Sequence, residues 1–465
     1  NKMIVMKFGG SCISSRENLE NLVAKVKANF ERNPILVVSA VEGVTSRLKD
    51  IAYNLFAKYN DLSKDFSYVD FEKKQAKALP YYHEILGVYN GLASDSGVRF
   101  EDTELDVDFL GSLTADGTDQ ERFTDGILSM GERYSSRLVA KLLNDNGIFS
   151  RPYDSYKLGL ITNNKHGRAS LELESFGLIP RELENTHGLP VITGFIGMDK
   201  KGNVTTMGRD SSDYSAVIFG VASKSKEVQM YKTVEGVLSS NSIMVEGPRT
   251  IPKMSYDEAI ELAAYGGNVL SLKAIKLASQ HNLKIRVMNL KSNHPGTLIA
   301  KLEEPDIGSV KAIISKRHNN TIMINSISMI DQTGYASRIF RGIARKEGVI
   351  DVVCSSGSSI SATINPFVKD HKKMDQPIDM VALKEYIRRY GETEICEDKA
   401  IIAVIGEKIM HQPQLLARVF TTIPNKIGIE MASLGNNSSN LTFVVDQKYE
   451  DIVVSLLHKE FFDKT

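Results

Sequence analysis

Two short loops that are suited to binding an anion lie near the N-terminus. Lys7–Ser11 (KFGGS) closes the apolar run Met3–Phe8, and Ser39–Thr45 (SAVEGVT) closes the run Pro34–Ala40. Glycines after a strand let backbone N–H groups approach an anion closely, and a lysine at a strand end supplies a point charge for phosphate. The Walker A spacing is absent. Taken singly, each loop is also explained as an ordinary strand–turn or helix-capping loop.

Two further segments place charged and hydroxyl side chains at predicted helix starts. Gly131–Ser136 (GERYSS) presents Glu132 ahead of the predicted helix Arg137–Asn144, and Thr205–Ala216 (TTMGRDSSDYSA) presents Arg209 with serines and an aspartate. An arginine offers a bidentate fork for a carboxylate, and a helix N-terminus favours anions. A glutamate at a helix start is commonly only a complement to the helix dipole. An N-cap beside a surface arginine explains the serines but not the whole cluster.

Taken in order, these segments resemble the amino-acid kinase family, and within it the aspartate kinases. The motifs are K-F-G-G-S at 7–11, V-V-S-A-x-x-G-V-T at 37–45, G-E-R-x-S-S at 131–136, T-G-F-I-G at 193–197 and G-R-x-x-S-D-Y-S-A at 208–216. The resemblance covers nearly the whole chain. It implies transfer of the terminal phosphoryl group of ATP, with Mg²⁺ carried by the ATP phosphates, to the side-chain carboxylate of L-aspartate. This reaction is the first step of lysine, threonine and methionine synthesis.

The resemblance also implies a role for each site residue. The aspartate carboxylate, with an ordinary pKa of about 3.9, is already a nucleophile at pH 7, so positioning and cations matter more than a general base. The predicted catalytic residues are Lys7, which neutralises the phosphoryl group, and Asp213, which orients Lys7 or the substrate. Glu132 would pair with the substrate ammonium and Arg209 with its α-carboxylate. The predicted substrate-binding residues are Thr45, Glu132, Phe195, Arg209 and Ser212. The predicted nucleotide-binding residues are Lys7, Gly9, Gly10, Ser11, Ser39, Lys232, Thr233, Arg249 and Asn268, and no protein-held metal site is predicted.

The sequence departs from the family pattern on the nucleotide side. Lys232-Thr233 stand where the family has Thr-Asp, Leu238 replaces a tyrosine, and Asn268 replaces a lysine expected near the phosphates. Lys232 and Lys273 are candidates for taking that lysine's place. These changes leave open weak ATP affinity, another nucleotide preference, or poor catalysis. Two alternative functions also stay open: an amino-acid kinase for another carboxylate, and a non-catalytic amino-acid sensor.

The order of the segments predicts an α/β fold in two parts. Strand, glycine turn, helix and strand open a doubly wound domain, with a mostly parallel sheet between helical layers and ligands beyond the carboxyl ends of the strands. Further along, Ser337–Phe340 (SRIF) recurs as Ala417–Phe420 (ARVF), each in a strand–helix–strand–strand context that indicates a ferredoxin-like module. These modules resemble ACT regulatory domains. We predict a kinase domain at 1–300, a first ACT domain at 321–395, and a second at 396–465 that is completed by a strand from about 308–318.

The resemblance to ACT domains implies feedback regulation by an amino acid, with lysine as the expected effector. The predicted effector residues are Met329, Gln332, Tyr335, Ala336, Ile350, Asp351 and Ser356. Asp351 would hold the effector ammonium group, although ordinary ACT packing explains the same cluster equally well. Gly357 replaces an acidic residue that is common in lysine-sensitive members. The resemblance also implies a homodimer or homotetramer that assembles through the ACT domains.

The composition argues against several other classes of protein. Lys+Arg and Asp+Glu both number 57, so the chain lacks the basic excess of a nucleic-acid binder. Cys12, Cys354 and Cys396 are too widely spaced for a metal motif or a disulfide framework, which fits a reducing compartment. No apolar run approaches the roughly 20 residues of a membrane helix, and no secretory signal is evident. We therefore expect a cytoplasmic protein with neither a nucleic-acid nor a membrane partner.

Overall fold

The computed structural model describes residues 3–60, 68–114, 119–267, 270–304, 306–329, 332–346, 348–368, 376–434 and 439–463. The chain divides into two compact units, Asn1–Val237 with Leu270–Lys301, and Leu238–Val269 with Leu302–Thr465. The first contains a large parallel sheet and the second an antiparallel sheet, so the predicted α/β class is confirmed. Within the described ranges, no helix has the length and apolar character needed to span a membrane.

The first unit is built on a sheet in the order β3-β4-β2-β1-β7-β9-β10. All neighbouring strands are parallel except β9 and β10. A separate antiparallel hairpin joins β5 to β6. The strands of this unit are β1 (Ile4–Phe8), β2 (Pro34–Val38), β3 (Ser150–Tyr153), β4 (Leu189–Thr193), β5 (Ile196–Met198), β6 (Val204–Thr206), β7 (Glu227–Lys232), β9 (Lys284–Asn289) and β10 (Thr297–Ile299).

Helices flank this sheet, and short 3₁₀ turns occupy Gly10–Ile13, Phe30–Arg32 and Ser155–Leu158. The α-helices of the first unit are α1 (Arg16–Asn29), α2 (Val44–Asn60), α3 (Tyr68–Asp95), α4 (Thr103–Thr114), α5 (Gln120–Asp145), α6 (Ser175–Glu184), α7 (Ser211–Ala222) and α9 (Leu272–Gln280). Helix α5 is buried along most of its length. It starts earlier than predicted because Asp119 caps it, accepting hydrogen bonds from the backbone N–H groups of Glu121 and Arg122.

The central position of β1 brings the predicted loops together. Strands β1 and β2 are buried at every residue, as parallel strands covered on both faces should be. Strand β1 pairs with β2 on one side and with β7 on the other, so that Lys7 lies opposite both Val37 and Met230. The carboxyl ends of three parallel strands therefore meet at one edge of the sheet. That edge carries the loop at Gly9-Gly10, the loop from Ser39, and Lys232.

The second unit contains an antiparallel sheet in the order β12-β13-β11-β16-β18-β17. The strands of this sheet are β11 (Ala312–Asn325), β12 (Val349–Ser355), β13 (Ser359–Asn365), β16 (Glu392–Ile405), β17 (Met431–Ser433) and β18 (Asn440–Asp446). Outside this sheet the unit contains β8 (Lys253–Met254) and an antiparallel pair of β14 (Phe367–Val368) and β15 (Gln376–Pro377). Its α-helices are α8 (Tyr256–Ala264), α10 (Tyr335–Arg345), α11 (Met380–Ile387), α12 (Pro413–Thr422) and α13 (Glu450–Phe462). Its 3₁₀ turns are Ile327–Met329, Ile409–His411 and Gln447–Tyr449.

Strands β11 and β16 are long because each serves both repeats. Each has 14 residues. Ala312–Lys316 pair with Ile401–Ile405, which pair in turn with β18, whereas Asn320–Asn325 pair with β13. The register shifts between these halves, next to His318, whose φ is +57°. One apolar core lies against each half: α10 and α11 cover the half that contains Asn320–Asn325, and α12 and α13 cover the half that contains Ala312–Lys316.

Candidate active site

A buried carboxylate lies between two ammonium groups at the carboxyl ends of β1 and β7. Lys7 Nζ is 2.7 Å from Asp213 Oδ1, and Lys232 Nζ is 3.2 Å from Asp213 Oδ2. Burial alone would raise the pKa of Asp213, but the two lysines outweigh burial and hold that pKa below its ordinary value. The cluster thus carries two positive charges and one negative charge. Such an arrangement favours an anionic ligand.

The glycine loop beside this cluster requires a residue without a side chain at Gly10. A Cβ on Gly10 would lie only 2.6 Å from the carbonyl oxygen of Ala40, so no larger residue fits against the second loop. A Cβ on Gly9 would lie 3.6 Å from Lys7 Nζ. The N–H of Ser39 donates to the carbonyl of Phe8, which ties the two loops together. Predicted residues Gly9, Gly10 and Ser39 therefore lie next to Lys7.

Glu132 contributes a second buried carboxyl group, from the interior of α5. The structure corrects its predicted position at a helix start, so it does not complement a helix dipole there. Its Oε1 accepts a hydrogen bond of 3.0 Å from the N–H of Ala40, while Oε2 has no partner among the described residues. Burial raises the pKa of Glu132 to about 8, against the lowering effects of the Ala40 N–H and the Lys7 charge. An unpaired buried carboxyl oxygen is costly unless it binds a ligand. Glu132 is therefore a candidate partner for an ammonium group.

Three other predicted substrate residues lie around the start of α7: Phe195 in the loop before β5, Arg209 before the helix, and Ser212 in its first turn. A Cβ on Gly194 would lie 2.7 Å from Cβ of Ser212, so the loop at 194–195 packs directly on the start of α7. Phe195 has a φ of +66°, and its N–H donates to Ser215 Oγ at 3.0 Å. Arg209 is exposed and precedes Asp210, whose φ of +58° is a left-handed conformation that favours glycine. The structure thus places Phe195 beside Ser212 and leaves Arg209 facing solvent.

The remaining predicted residues lie in different parts of the chain. Ser11 lies in the 3₁₀ turn after the glycine loop, and Thr45 lies in the first turn of α2, both half-buried. Thr233 directly follows Lys232 and is exposed. Arg249 belongs to the second unit, where its N–H donates to Ser239 Oγ at 2.9 Å. The prediction for Asn268 lies outside the described residues.

Asp125 holds the loop that leads to Arg209, and the sequence analysis did not identify it. Its fully buried carboxylate accepts hydrogen bonds from His166 Nδ1 at 2.8 Å, from the N–H of Gly167, and from both the N–H and the hydroxyl of Thr206. The hydrogen bond to Asp125 raises the pKa of His166, despite burial. A Cβ on Gly208 would lie 3.5 Å from the carbonyl oxygen of Gly167. Asp125 therefore holds Thr206, two residues before Gly208, and also Gly167, whose carbonyl oxygen lies close to Gly208.

A sequence signal for Asp125 did exist. It precedes Glu132 by seven residues (132 − 125 = 7), and residues seven apart lie on one face of a helix. The signal was hidden because the helix was predicted to start only at Arg137. Because α5 in fact begins at Gln120, Asp125 and Glu132 both lie within it, on one buried face.

Replacing Asp125 by asparagine is expected to lower the free energy of unfolding by about 2–4 kcal/mol, because an amide cannot accept all of these hydrogen bonds. The KM for aspartate should rise about tenfold as the Gly208 turn loosens. Urea unfolding and steady-state kinetics measure both effects. Asp199→Asn is the matched control, since Asp199 accepts from the N–H groups of Lys201 and Asn203 at the other end of the same hairpin. An equal rise in KM in both variants would contradict this role.

The predicted effector residues lie in the second unit. Met329, Tyr335 and Ile350 pack on the core below α10, and the Tyr335 hydroxyl is buried without a partner among the described residues. Asp351 Oδ2 is 2.5 Å from Lys316 Nζ, so its charge is already paired within the chain. Gln332 and Ala336 are exposed, and the exposed Ser356 shares a hydrogen bond with Ser359.

Comparison with known proteins assigns the family of this fold and site. Residues 2–289 match the amino acid kinase family, and residues 402–461 match the ACT domain. The chain belongs to the amino acid kinase family. Aspartokinase 1, chloroplastic, of Arabidopsis thaliana is 29% identical over 99% of this chain and 80% of its own length. The lysine-sensitive aspartokinase 3 of Escherichia coli is 26% identical over 99% of this chain and 100% of its own length.

Solved structures show the same fold. Escherichia coli aspartokinase III in complex with aspartate and ADP matches with a TM-score of 0.78 and 23% identity, over 99% of this chain and 100% of its own. The aspartate kinase of Clostridium acetobutylicum matches with a TM-score of 0.78 and 20% identity, over 98% of this chain and 100% of its own. The predicted combination of an amino-acid kinase fold with C-terminal ACT structure is confirmed.

Proposed function

We propose that this chain is an aspartate kinase, which transfers the terminal phosphoryl group of ATP to the side-chain carboxylate of L-aspartate. The observation that carries the proposal is the net positive cluster of Lys7, Asp213 and Lys232 beside a glycine loop. The named relatives support it, since they are aspartokinases and match 99% of this chain. The Escherichia coli structure with aspartate and ADP supports the same pair of ligands.

The chemistry requires an anion to meet a polyanion. The aspartate side chain is ionised at neutral pH, so it attacks the γ-phosphorus without a general base, and the nucleotide leaves as ADP. Lys7 neutralises charge on the transferring phosphoryl group, and Asp213 fixes the direction of its ammonium group. The N–H group of Gly10 approaches the phosphate oxygens, while that of Gly9 donates to the carbonyl of Tyr231. These residues position charge rather than move protons.

The substrate end of the site recognises an α-amino acid. The ammonium group of aspartate pairs with Glu132 Oε2, which has no other partner among the described residues. Its α-carboxylate binds the exposed guanidinium of Arg209, which is a bidentate partner for carboxylates. Thr45 and Ser212 donate hydroxyl hydrogen bonds to the substrate. Recognition of both α-groups requires a free amino acid rather than an N-acylated one.

Magnesium reaches this site with the nucleotide. No group of acidic, histidine or cysteine side chains suited to a metal was found among the described residues. Asp213 is already paired with two lysines. Mg²⁺ commonly binds through substrate phosphates and neutralises their charge. We expect Mg²⁺ to be bound here in the same way, by the phosphates of ATP.

Acyl phosphate formation tests the proposed activity. The protein is incubated with Mg-ATP, hydroxylamine and each of aspartate, glutamate and N-acetyl-aspartate, and the hydroxamate is measured. We expect product with L-aspartate alone. Product only with another acid would indicate a kinase for a different carboxylate. Absence of product with measurable amino-acid binding would indicate a sensor. Reactions that lack ATP provide the blank.

We further propose that an amino acid, with lysine expected, inhibits the enzyme by binding at the ACT region near Asp351. Asp351→Asn should raise the lysine concentration for half-inhibition about 10- to 100-fold, the value of one charge-assisted hydrogen bond. Lys316→Met should lower that concentration, because it frees the carboxylate that Lys316 now pairs with. Inhibition curves at fixed substrate measure both. Unchanged curves in the two variants would exclude Asp351 from the effector site.

Two further expectations accompany this function. Assembly into a homodimer or homotetramer through the ACT domains is tested by light scattering after size-exclusion chromatography. A cytoplasmic location remains a prediction and is tested by fractionation of the source cells.

A further inference from the structure

We propose that Lys232 is a catalytic residue, which supplies a second protein cation to the transferring phosphoryl group alongside Lys7. The inference rests on the proposed function, because it assigns a role within the same phosphoryl-transfer site. It goes beyond that function in giving Lys232 a part in the chemical step rather than in holding the nucleotide.

The charge balance around Asp213 supports this role for Lys232. Each of its two oxygens faces a different lysine, Lys7 at 2.7 Å and Lys232 at 3.2 Å. The side chain of Asp213 is 4% exposed, that of Lys7 7% and that of Lys232 24%. One carboxylate neutralises only one ammonium group, so a positive charge is left over where water is largely excluded. Such a surplus is unfavourable unless an anion offsets it.

The position of Lys232 on the sheet supports the same role. In the parallel pairing of β1 with β7, Lys7 lies opposite Met230 and Phe8 opposite Tyr231. The next residues in this register are Gly9 and Lys232. The N–H of Gly9 still donates to the carbonyl of Tyr231 at 3.4 Å. Lys232 therefore lies beside the glycine loop that the proposed function assigns to phosphate, on the edge that also carries Lys7.

The partial exposure of Lys232 separates it from a purely structural lysine. Asp213 keeps Lys7 as a partner, so pairing with Lys232 is not needed to neutralise the carboxylate. About a quarter of the Lys232 side chain remains accessible, so a ligand can reach this side chain while Asp213 holds its ammonium group in place.

Lys273 is the competing candidate in the first unit. Its Nζ donates to the carbonyl oxygen of Met207 at 3.2 Å, and burial lowers the pKa of its ammonium group. Among the described residues no carboxylate forms an ion pair with Lys273, whereas Lys232 and Lys7 both pair with Asp213. The geometry therefore favours Lys232 as the second cation, and Lys273→Met becomes an informative comparison.

Steady-state kinetics of Lys232→Met and Lys232→Arg, with Mg-ATP and aspartate varied separately, test the proposal. Lys232→Met should lower kcat about 10²- to 10³-fold, as the loss of one electrostatic contact to a transition state does, and should leave the KM for aspartate within about threefold. Lys232→Arg keeps the positive charge and should recover at least tenfold of the lost kcat. Lys273→Met should lower kcat less than Lys232→Met. Lys141→Met is the surface control, since Lys141 forms an exposed pair with Asp145.

The outcomes separate this inference from the proposed function. If the wild-type protein forms no acyl phosphate, both fail. If the wild-type protein is active and Lys232→Met keeps kcat within about threefold, only the role of Lys232 is overturned. A rise in the KM for ATP at unchanged kcat would also overturn it, since that result places Lys232 in ground-state nucleotide binding alone. Should Lys232→Met not fold, as judged by circular dichroism, Lys232→Gln is measured against the same criteria.

Discussion

Replacement of Lys7 by alanine is expected to lower turnover about 10³-fold and to leave the protein folded. The loss follows from removing the more deeply buried of the two ammonium groups that face the proposed phosphoryl site. The fold should survive because Asp213 keeps Lys232 as its partner at 3.2 Å, so no buried charge is left uncompensated. Hydroxamate formation measures turnover, and urea unfolding measures stability.

Two further variants serve as comparisons for Lys7→Ala. Asp213→Ala should be the less stable variant, by about 3–5 kcal/mol relative to wild type, because it strands two ammonium groups in a buried site. Lys141→Ala, at an exposed ion pair, should keep wild-type turnover. Turnover close to wild type in Lys7→Ala would remove Lys7 from the catalytic site.

Glu132→Gln is expected to have the second largest effect, a rise of about 10²-fold in the KM for aspartate. The substrate ammonium should favour the ionised form of Glu132 and form a charge-assisted pair with it, which an amide of the same shape cannot do. kcat should change less, since the ammonium group does not react. Competition by N-acetyl-aspartate, which has no ammonium group, should be equally weak in both proteins.

The same variant should change how stability depends on pH. Because burial raises the pKa of Glu132 to about 8 in the folded protein, the folded state keeps a proton that the unfolded state has already lost. The free energy of unfolding of the wild type should therefore fall by about 1.4 kcal/mol per pH unit between roughly pH 4.5 and 8, relative to Glu132→Gln. Urea unfolding at pH 5.5 and 7.5 should show a difference that grows by about 2.7 kcal/mol. Glu20→Gln, at an exposed pair with Arg16, should follow the wild-type curve.

The strands that frame the site were predictable because a short continuous stretch of sequence defines each of them. Met3–Phe8 and Pro34–Ala40 are apolar runs of strand length that end in glycine-containing loops, and parallel packing then brings their ends together. Periodicity does not reveal which residue faces which across the fold. Lys232 meets Asp213 only because β7 pairs with β1, and Asp125 meets Thr206 across a separation of 81 residues.

The backbone conformation at Asp210 is another feature that the sequence does not predict. Asp210 directly precedes α7. The structure places Asp210 in a left-handed conformation, with a φ of +58°. Propensity alone predicts glycine there. The residues on either side fix the conformation, since Gly208 also has a positive φ and Ser211 Oγ donates to the carbonyl of Gly208 at 2.6 Å.

The two long strands of the second unit make its repeats inseparable as pieces of polypeptide. Strands β11 and β16 lie at the centre of that sheet, and the outer strands pair with them directly or through one neighbour. Neither repeat therefore has a complete sheet of its own. A fragment that stopped before Glu392 would leave Ala312–Lys316 without their partners in β16. It would expose an apolar strand edge that includes Ile313, which is fully buried in the intact unit. Such an edge recruits other chains and aggregates. Denaturation of this unit should accordingly be a single cooperative transition, with no stage at which one repeat has melted and the other stands intact.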